Sequence, residues 1–356
     1  MDTHPNSGLE ELRAKLDERL KDLLAPIDLP RLSRLPTSRF LHTALPNLTL
    51  IELVSASAFA EDYNALYTST FHGAERERPD LIISRLAQDS AGQRTGLFPY
   101  RIIGLRGNSG EALGAAQFSV LLFPTEEGHY AVPYLQYIYI RPQNRRQDLS
   151  ELLHTLVLAV ATAEAAKFPC PGLGHGQPGD NGTNIKVQVP FTLFETEPPS
   201  HGDDDDARAI AAQRTLIHAR SGSMALMLRR KFPLPDKQWK YLSAHVQPGL
   251  EAGDPPLTLI WVIRPNPALS EDATSPKIDI GKLRPAVLAA VYLNFRHEGF
   301  PEENIKLAES VAGRRRVGAE FCVMELGMWG DVSWGGLGRC WDWTGWWAWM
   351  VEIHDT

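Results

Sequence analysis

The segment from residue 132 to residue 168 constrains the fold more than any other part of this sequence. Residues 132–140 are rich in aromatic and β-branched side chains that alternate with period two, which predicts a β-strand. Pro142 ends the strand. Residues 149–168 carry apolar side chains at helical spacing. The segment is therefore predicted to be a strand, a tight turn and a helix, the building unit of an α/β protein.

The turn between this strand and this helix is polar and basic. It contains Arg145 and Arg146, and Asp148 or Ser150 is placed to cap the helix. The first N–H groups of a helix have no partner within it and attract anions. A guanidinium group binds phosphate through two parallel hydrogen bonds. The turn is thus a candidate phosphate site, and an ordinary capped helix packed on a sheet is the alternative.

This unit resembles the acyl-CoA binding motif of the GNAT superfamily of N-acetyltransferases. In that family a strand ending in Val-x-Pro runs into Q/R-x-x-G-x-G/A, whose amides hold the pyrophosphate of coenzyme A. Ile140-Arg141-Pro142 matches the strand end, and Asp148 and Ser150 stand where the motif has small residues. The resemblance covers about residues 48–264 and implies a GNAT-like α/β fold with a mixed central sheet flanked by helices. It implies that the pyrophosphate turn consists of Arg145, Arg146, Gln147, Asp148, Leu149 and Ser150.

The resemblance also implies how the cosubstrate is held. The fourth and fifth strands would splay apart, and the pantetheine arm of acetyl-CoA, or of another acyl-CoA, would pair with the strand backbone. The backbone positions implied are Tyr137, Ile138, Tyr139 and Ile140. A backbone N–H near Ile138 would stabilise the oxyanion while an amine attacks the thioester directly.

A second local match lies at residues 213–222, which are similar to the family pattern R-R-x-x-F-Y-x-R-x-G. His218 occupies the place of the tyrosine that protonates the leaving thiolate, and an imidazole can donate a proton at physiological pH. The alternative is a histidine that merely stabilises a helix C-terminus. Glu195 and Glu197 lie at the end of the predicted fifth strand, where alternation places them on one face. Either is a candidate relay for the proton of the amine, and the alternative is that both solvate a loop.

The remaining pattern predicts three regions, at residues 1–46, 47–310 and 311–356. Residues 9–24 form an amphipathic helix, expected to dock on the main body rather than to form a homodimer seam, and residues 31–46 a linker. Seven of the nine tryptophans lie between Trp329 and Trp349, so residues 311–356 are predicted to be a poorly ordered tail outside the fold, with a partner or membrane-surface patch as the alternative. Strands are also predicted at 48–54, 100–105, 113–122, 185–194, 224–228 and 258–263, and helices at 57–71, 80–88, 207–220 and 281–297.

Charge and composition exclude several classes of function. The net charge is −7 and no basic stripe is present, which argues against nucleic acid as a partner. Cys170, Cys322 and Cys340 are too dispersed for a disulfide framework, the histidines form no metal motif, and no metal is expected. Without a signal peptide or a transmembrane run, cytoplasmic location is the default expectation. The G-x-G-x-x-G at 174–179 follows a helix and is interpreted as a loop, and the four aspartates at 203–206 as a solvated run.

The resemblance to GNAT proteins implies an acyl-CoA-dependent N-acyltransferase that acts on a small amine or peptide. Direct attack needs no protein nucleophile, which agrees with the lack of a G-x-S-x-G motif. A GNAT-fold binding module without catalytic activity is the alternative. A third hypothesis is an interaction protein whose working parts are the helix at 9–24 and the tryptophan-rich tail.

Overall fold

The computed structural model describes residues 7–71, 76–126, 128–167, 187–197, 205–230, 241–269 and 280–326. The chain divides into two compact units. Unit one comprises Met1–Pro190 with Asn266–Glu271, and unit two comprises Phe191–Pro265 with Asp272–Thr356. Each unit carries helices on a mainly antiparallel β-sheet, which confirms the predicted mixed α/β class.

The sheet of unit one has the order β1-β2-β3-β4, with every neighbouring pair antiparallel. Its strands are β1 (Leu48–Leu53), β2 (Tyr100–Gly107), β3 (Ala112–Thr125) and β4 (Gly128–Ile140). Its helices are α1 (Ser7–Ala14), α2 (Glu18–Leu24), α3 (Leu29–Leu32), α4 (Thr37–Phe40), α5 (Ala56–Ala58), α6 (Asn64–Thr70), α7 (Pro79–Ser90) and α8 (Leu149–Lys167). A π-helical turn, Phe59–Tyr63, joins α5 to α6, so the predicted helix at 57–71 is confirmed with a local irregularity.

Helix α8 is the core helix of unit one. It contacts β3 and β4, and it also contacts α2 and α3. This explains why its sequence is apolar on nearly every side, since a helix covered on opposite faces has little solvent-exposed surface. Among the described helices, α8 alone is long and apolar enough to cross a membrane. However, 78% of its most apolar stretch is buried inside the protein.

The N-terminal residues depart from the predicted single helix and linker. The backbone of Lys15 and Asp17 pairs with Ile51 of β1, and this interrupts the helix between α1 and α2. Asp17 then caps α2, because its Oδ1 accepts a hydrogen bond from the N–H of Leu20 at 2.7 Å. The expected linker instead contains α3 and α4, and Phe40 is fully buried. The docking of this region on the main body is confirmed by burial of its leucines, Leu12, Leu16, Leu20 and Leu24.

Unit two is built around strand β6. Strands β7 and β8 pair with successive parts of β6, and β9 pairs with β6 over its whole length. The strands are β5 (Phe191–Thr196), β6 (Met224–Arg230), β7 (Tyr241–Ser243), β8 (Ile260–Pro265) and β9 (Ala319–Glu325). The helices are α9 (Asp205–Arg220), α10 (Ile280–Glu298) and α11 (Glu302–Arg316).

The predicted boundary at residue 311 is not seen in unit two. Helix α11 continues to Arg316, and β9 follows it into the sheet, so residues 311–326 belong to the fold. Strand β9 was not predicted from the sequence, in which Phe321 and Val323 are its β-branched or aromatic residues. The tryptophans at 329–349, the G-x-G-x-x-G at 174–179 and the first two aspartates of the run at 203–206 lie outside the described residues.

Candidate functional site

The turn between β4 and α8 has an unusual backbone. Arg146 has φ of 65° and Asp148 has φ of 55°, and among the described non-glycine residues these two have positive φ. Such left-handed geometry is unfavourable for residues with a Cβ and natural for glycine. Asp148 therefore keeps the backbone geometry suited to the glycine that the resemblance places there.

Left-handed Asp148 is followed immediately by Leu149, the first residue of α8. Adjacent left-handed and right-handed residues turn successive N–H groups toward one point, a concavity that binds anions. The start of α8 adds the positive end of the helix dipole to this concavity. The side chain of Leu149 is buried and holds the turn against the core, whereas Arg145, Arg146 and Ser150 are exposed.

The carboxylate of Asp148 is bound by an arginine from the N-terminal region. Oδ2 of Asp148 accepts a hydrogen bond from Nε of Arg39 at 2.7 Å, and Oδ1 accepts one from Nη2 at 3.2 Å. The Asp148 side chain is 18% exposed in this pair. Because both carboxylate oxygens have a guanidinium partner, the negative charge beside the turn is compensated.

The base of the turn is fixed to the neighbouring strand. The N–H of Arg141 donates to the carbonyl of Leu113 at 2.8 Å, and its Nε donates to the carbonyl of Ala112. A 3-10 turn, Pro142–Asn144, follows. Gln147 is half-buried, and its Oε1 is inaccessible to solvent and accepts no hydrogen bond from the described residues.

Strand β4 carries a β-bulge next to the backbone positions predicted to bind pantetheine. Phe118 pairs with Leu135 and Gln117 pairs with Tyr137, so Gln136 is the extra residue. A bulge leaves one residue out of the ladder and bends the strand, and bulges are common beside active sites. Gln136, Tyr137 and Ile138 are half-buried in a strand whose preceding residues 130–135 are buried.

The side chains of Tyr137 and Tyr139 belong to an aromatic cluster, whereas the predicted cosubstrate contact concerns their backbone. The ring of Tyr137 lies 5.1 Å from that of Tyr67 and 4.9 Å from that of Phe71. Tyr139 accepts a hydrogen bond at its hydroxyl from Nε2 of Gln117, at 3.1 Å. Only the backbone of these two tyrosines is therefore left for the role that the resemblance implies, together with Ile138 and Ile140.

In unit two, His218 lies near the end of α9 with its ring 4.8 Å from that of Phe194. Burial lowers the pKa of the His218 imidazole to about 4, and the charges of Arg264 and Arg214 lower it further, while Glu197 acts in the opposite direction. The imidazole is therefore neutral at pH 7. This does not support the expectation that His218 is a ready cationic acid at physiological pH.

Glu195 and Glu197 have different neighbours. Glu197 lies just after β5 and forms an ion pair with Arg214 of α9, close enough to His218 to affect its pKa. Glu195 lies within β5, where its Oε1 accepts a hydrogen bond from Nε1 of Trp261 at 3.2 Å. The structure thus brings His218 together with Glu197, and it directs Glu195 to a separate set of partners.

Those partners include His245, which sequence reasoning did not select. Its Nε2 lies 2.5 Å from Oε1 of Glu195, although the angles are not those of an aligned hydrogen bond. The imidazole is fully buried and stacks on Trp261 at 4.6 Å between ring centroids. Its backbone is fixed by Ser243, whose hydroxyl donates to the carbonyl of His245 at 2.9 Å. In the sequence His245 lies close to the aromatic residues Trp239 and Tyr241. This neighbourhood does not identify His245 as a partner of Glu195.

Among the described residues, no group of three or more His, Cys, Asp or Glu side chains is arranged to hold a metal ion. Cys322, the described cysteine, is buried and forms no disulfide with a described residue.

Comparison with known proteins finds distant structural similarity. No protein-family model matches this chain, and no curated protein matches it. A presumed acyl-CoA N-acyltransferase from Klebsiella pneumoniae subsp. pneumoniae MGH 78578 is 16% identical and is matched over 52% of this chain and 88% of its own, with a TM-score of 0.23. At that TM-score the similarity carries no argument about function.

Proposed function

We propose that this protein is an N-acyltransferase that moves an acyl group from acyl-CoA, with acetyl-CoA the first donor to test, to an amine. The observation that carries the proposal is the geometry of Asp148. Its backbone has φ of 55°, and Arg39 binds its carboxylate. The turn thereby keeps a glycine-like path although it contains no glycine, and its N–H groups converge as a phosphate site requires.

In this proposal the pyrophosphate of coenzyme A binds the N–H groups of residues 148–150 at the start of α8. Arg145 and Arg146 are exposed beside them and supply charge-assisted hydrogen bonds to the phosphate oxygens. The pantetheine arm pairs with the backbone of Tyr137, Ile138, Tyr139 and Ile140. The bulge at Gln136 supports this role, because it interrupts the regular ladder just before Ile138, whose N–H is the proposed oxyanion donor.

The reaction that we propose is direct attack of the amine on the thioester carbonyl. A C–N bond forms, the C–S bond breaks, the amine loses a proton and the departing thiolate gains one. His218 is neutral at pH 7, so its lone pair is available to accept the amine proton, and the resulting imidazolium is acidic enough to protonate the thiolate. Glu197 stabilises that imidazolium, and Glu195 is the second candidate relay for the amine proton.

A second candidate function is a binding module that holds coenzyme A without catalysis. The observation in its favour is the low pKa of His218, since an imidazole with a pKa of about 4 is a weak base. Both candidates require the turn to bind coenzyme A. They differ only in whether acyl transfer follows.

Calorimetric titration with coenzyme A and acetyl-CoA tests the shared step, and a panel of small amines and peptides tests transfer. Arg146→Gly removes the guanidinium but tolerates φ of 65°, so it should weaken binding about tenfold without backbone strain. Arg208→Ala, which removes an exposed ion-paired arginine of α9, is the matched control and should bind normally. Absence of coenzyme A binding by the unmodified protein would refute both candidates, and binding without transfer to any amine would favour the binding module.

A further inference from the structure

Three half-buried arginines of unit two, Arg284, Arg315 and Arg316, form no ion pair with a carboxylate of the described residues. Arg284, in the second turn of α10, places its Cζ 4.2 Å from the ring centroid of Phe321 in β9. Arg315 and Arg316 end α11, and Phe321 follows them after a short turn at Gly318. Stacking of a guanidinium on an aromatic face holds it in place while its N–H edge stays available.

The hydrogen bonds of Arg315 leave one donor group unused. Its Nη2 donates to Oγ1 of Thr258 at 2.8 Å. Its Nη1 is inaccessible to solvent and donates to no acceptor among the described residues. Nε of the adjacent Arg316 donates to the carbonyl of Ala312 at 3.2 Å. A buried N–H group without an acceptor costs free energy, so an acceptor is expected at this place.

Several other described arginines differ from these three in forming ion pairs with carboxylates. The chain is acidic, and several described arginines form ion pairs with carboxylates. These arginines are Arg39, Arg78, Arg85, Arg101, Arg106, Arg208, Arg214, Arg229 and Arg296. Arg284, Arg315 and Arg316 form no ion pair with any described residue, although each is half-buried.

The electrostatics agree with this geometry. Burial lowers the pKa of Arg284, and the charge of Arg316 lowers it further. Burial also lowers the pKa of Arg315. Half-buried like charges repel one another unless an anion compensates them. The C-terminal dipole of α11 stabilises Arg315 and Arg316 in part, but Arg284 lies near the opposite, positive end of α10, where a cation gains nothing from the dipole.

We propose that Arg284, Arg315 and Arg316 form a binding site for a small ligand that carries a phosphate group. A phosphate oxygen accepts the unused Nη1 hydrogen bond of Arg315, and the guanidinium that stacks on Phe321 contributes a second donor edge. Thr258 fixes the orientation of Arg315 at the site. This site shares no residue with the turn at Arg145–Ser150 and does not depend on the proposed acyl transfer.

Phosphorus NMR and calorimetry with inorganic phosphate test the site on the full-length chain. The Arg146→Gly variant is the background, because it weakens the other candidate phosphate site. In that background Arg284→Met keeps an apolar stem on Phe321 and removes the charge, and Arg315→Lys keeps the charge but removes the forked donor. Arg208→Gln is the matched control. Acetate and citrate in place of phosphate distinguish a phosphate site from a general carboxylate site.

We expect saturable phosphate binding in the background, at least tenfold weaker binding in both site variants, and unchanged binding in the Arg208→Gln control. Each variant is checked by circular dichroism, and Arg316→Gln replaces any variant that does not fold. Lack of saturable phosphate binding, equal binding by the site variants, or preference for acetate or citrate would overturn the proposal.

Discussion

Asp148 presents both of its carboxylate oxygens to the guanidinium of Arg39, a residue 109 positions earlier in the chain. The pair joins the N-terminal helices to the first residue before α8. Arg39 thus gives the N-terminal region a role in shaping the candidate cosubstrate site as well as in covering the core. A double-mutant cycle on Arg39 and Asp148 can separate the role at the site from the role in the core. Asp148 can be replaced by glycine in this cycle, because the motif that the turn resembles has glycine at this position.

Arg39→Ala should weaken coenzyme A binding about tenfold, because it leaves the Asp148 carboxylate uncompensated beside the phosphates. Asp148→Gly should bind as well as the unmodified protein or better, and the double variant should regain its affinity. Titration calorimetry at low ionic strength measures the effect, and Arg78→Ala, which removes another exposed ion-paired arginine, serves as control. Equal loss of affinity in Arg39→Ala and in the double variant would contradict a purely electrostatic role.

The pKa of His218 predicts a dependence of stability on pH. The pKa of about 4 in the native protein lies below the ordinary imidazole pKa of about 6.5, so between these pH values the unfolded chain binds the proton more readily than the native protein. Stability contributed by neutral His218 is therefore complete above about pH 6.5 and is lost as the pH falls toward 4. Urea denaturation of His218→Asn should show a weaker loss across this window, and a ring titration near pH 6.5 by NMR would disprove the assignment.

If His218 accepts the amine proton, the same pKa sets the acidic limb of the rate profile. As the pH is lowered, kcat should then begin to fall only near pH 4, well below the pKa of an ordinary histidine. His218→Asn should lower kcat about a hundredfold, the lower end of general-base contributions, with little change in KM. A change in KM alone would assign His218 to binding.

Glu195 should matter for the stability of unit two. Glu195→Ala removes the acceptor of the Trp261 N–H and leaves buried His245 without its carboxylate neighbour, which should cost about 3 kcal/mol of unfolding free energy. Glu195→Gln keeps an acceptor oxygen and should cost about 1 kcal/mol. Urea denaturation measures both. Equal costs for the two variants would show that the carboxyl oxygen at Trp261 and His245 is not the source of the stability.

Asp17 should be a strong contributor to the stability of unit one. Its Oδ1 caps α2, and its Oδ2 accepts the N–H of Leu53 at 2.9 Å. Asp17→Ala loses the cap and leaves the Leu53 N–H without this acceptor, for a total of about 2 kcal/mol. Asp22→Ala on the exposed side of α2 is the control and should change the midpoint of denaturation little.

The sequence predicted those elements whose periodicity is set by local packing. The strand ending at Ile140 and the helix beginning at Leu149 were located correctly, because one alternates and the other carries apolar residues at helical spacing. The break at Leu16 was not predictable, since it depends on pairing with Ile51, far away in the sequence. Long-range contacts of this kind override local helix propensity.

The site was predictable to a similar extent. The turn at Arg145–Ser150 follows from its position between two recognisable elements, but the positive φ of Asp148 and its pairing with Arg39 do not. His245 was not identified because its approach to Glu195 depends on tertiary packing with Trp261. The pKa of His218 likewise comes from burial, which a helical position near a C-terminus does not reveal.

The backbone pairing of Lys15 and Asp17 with Ile51 also protects the margin of a sheet. Strand β1 is the first strand in the order of unit one, and an outer strand with free N–H and C=O groups recruits strands from other molecules. Residues of the same chain occupy that margin at Ile51, with Leu16 buried beneath them. The N-terminal region thus protects the protein against aggregation. Removal of residues up to and including Leu16 would leave the backbone of β1 unpaired at the sheet edge, where strands of other molecules could pair with it.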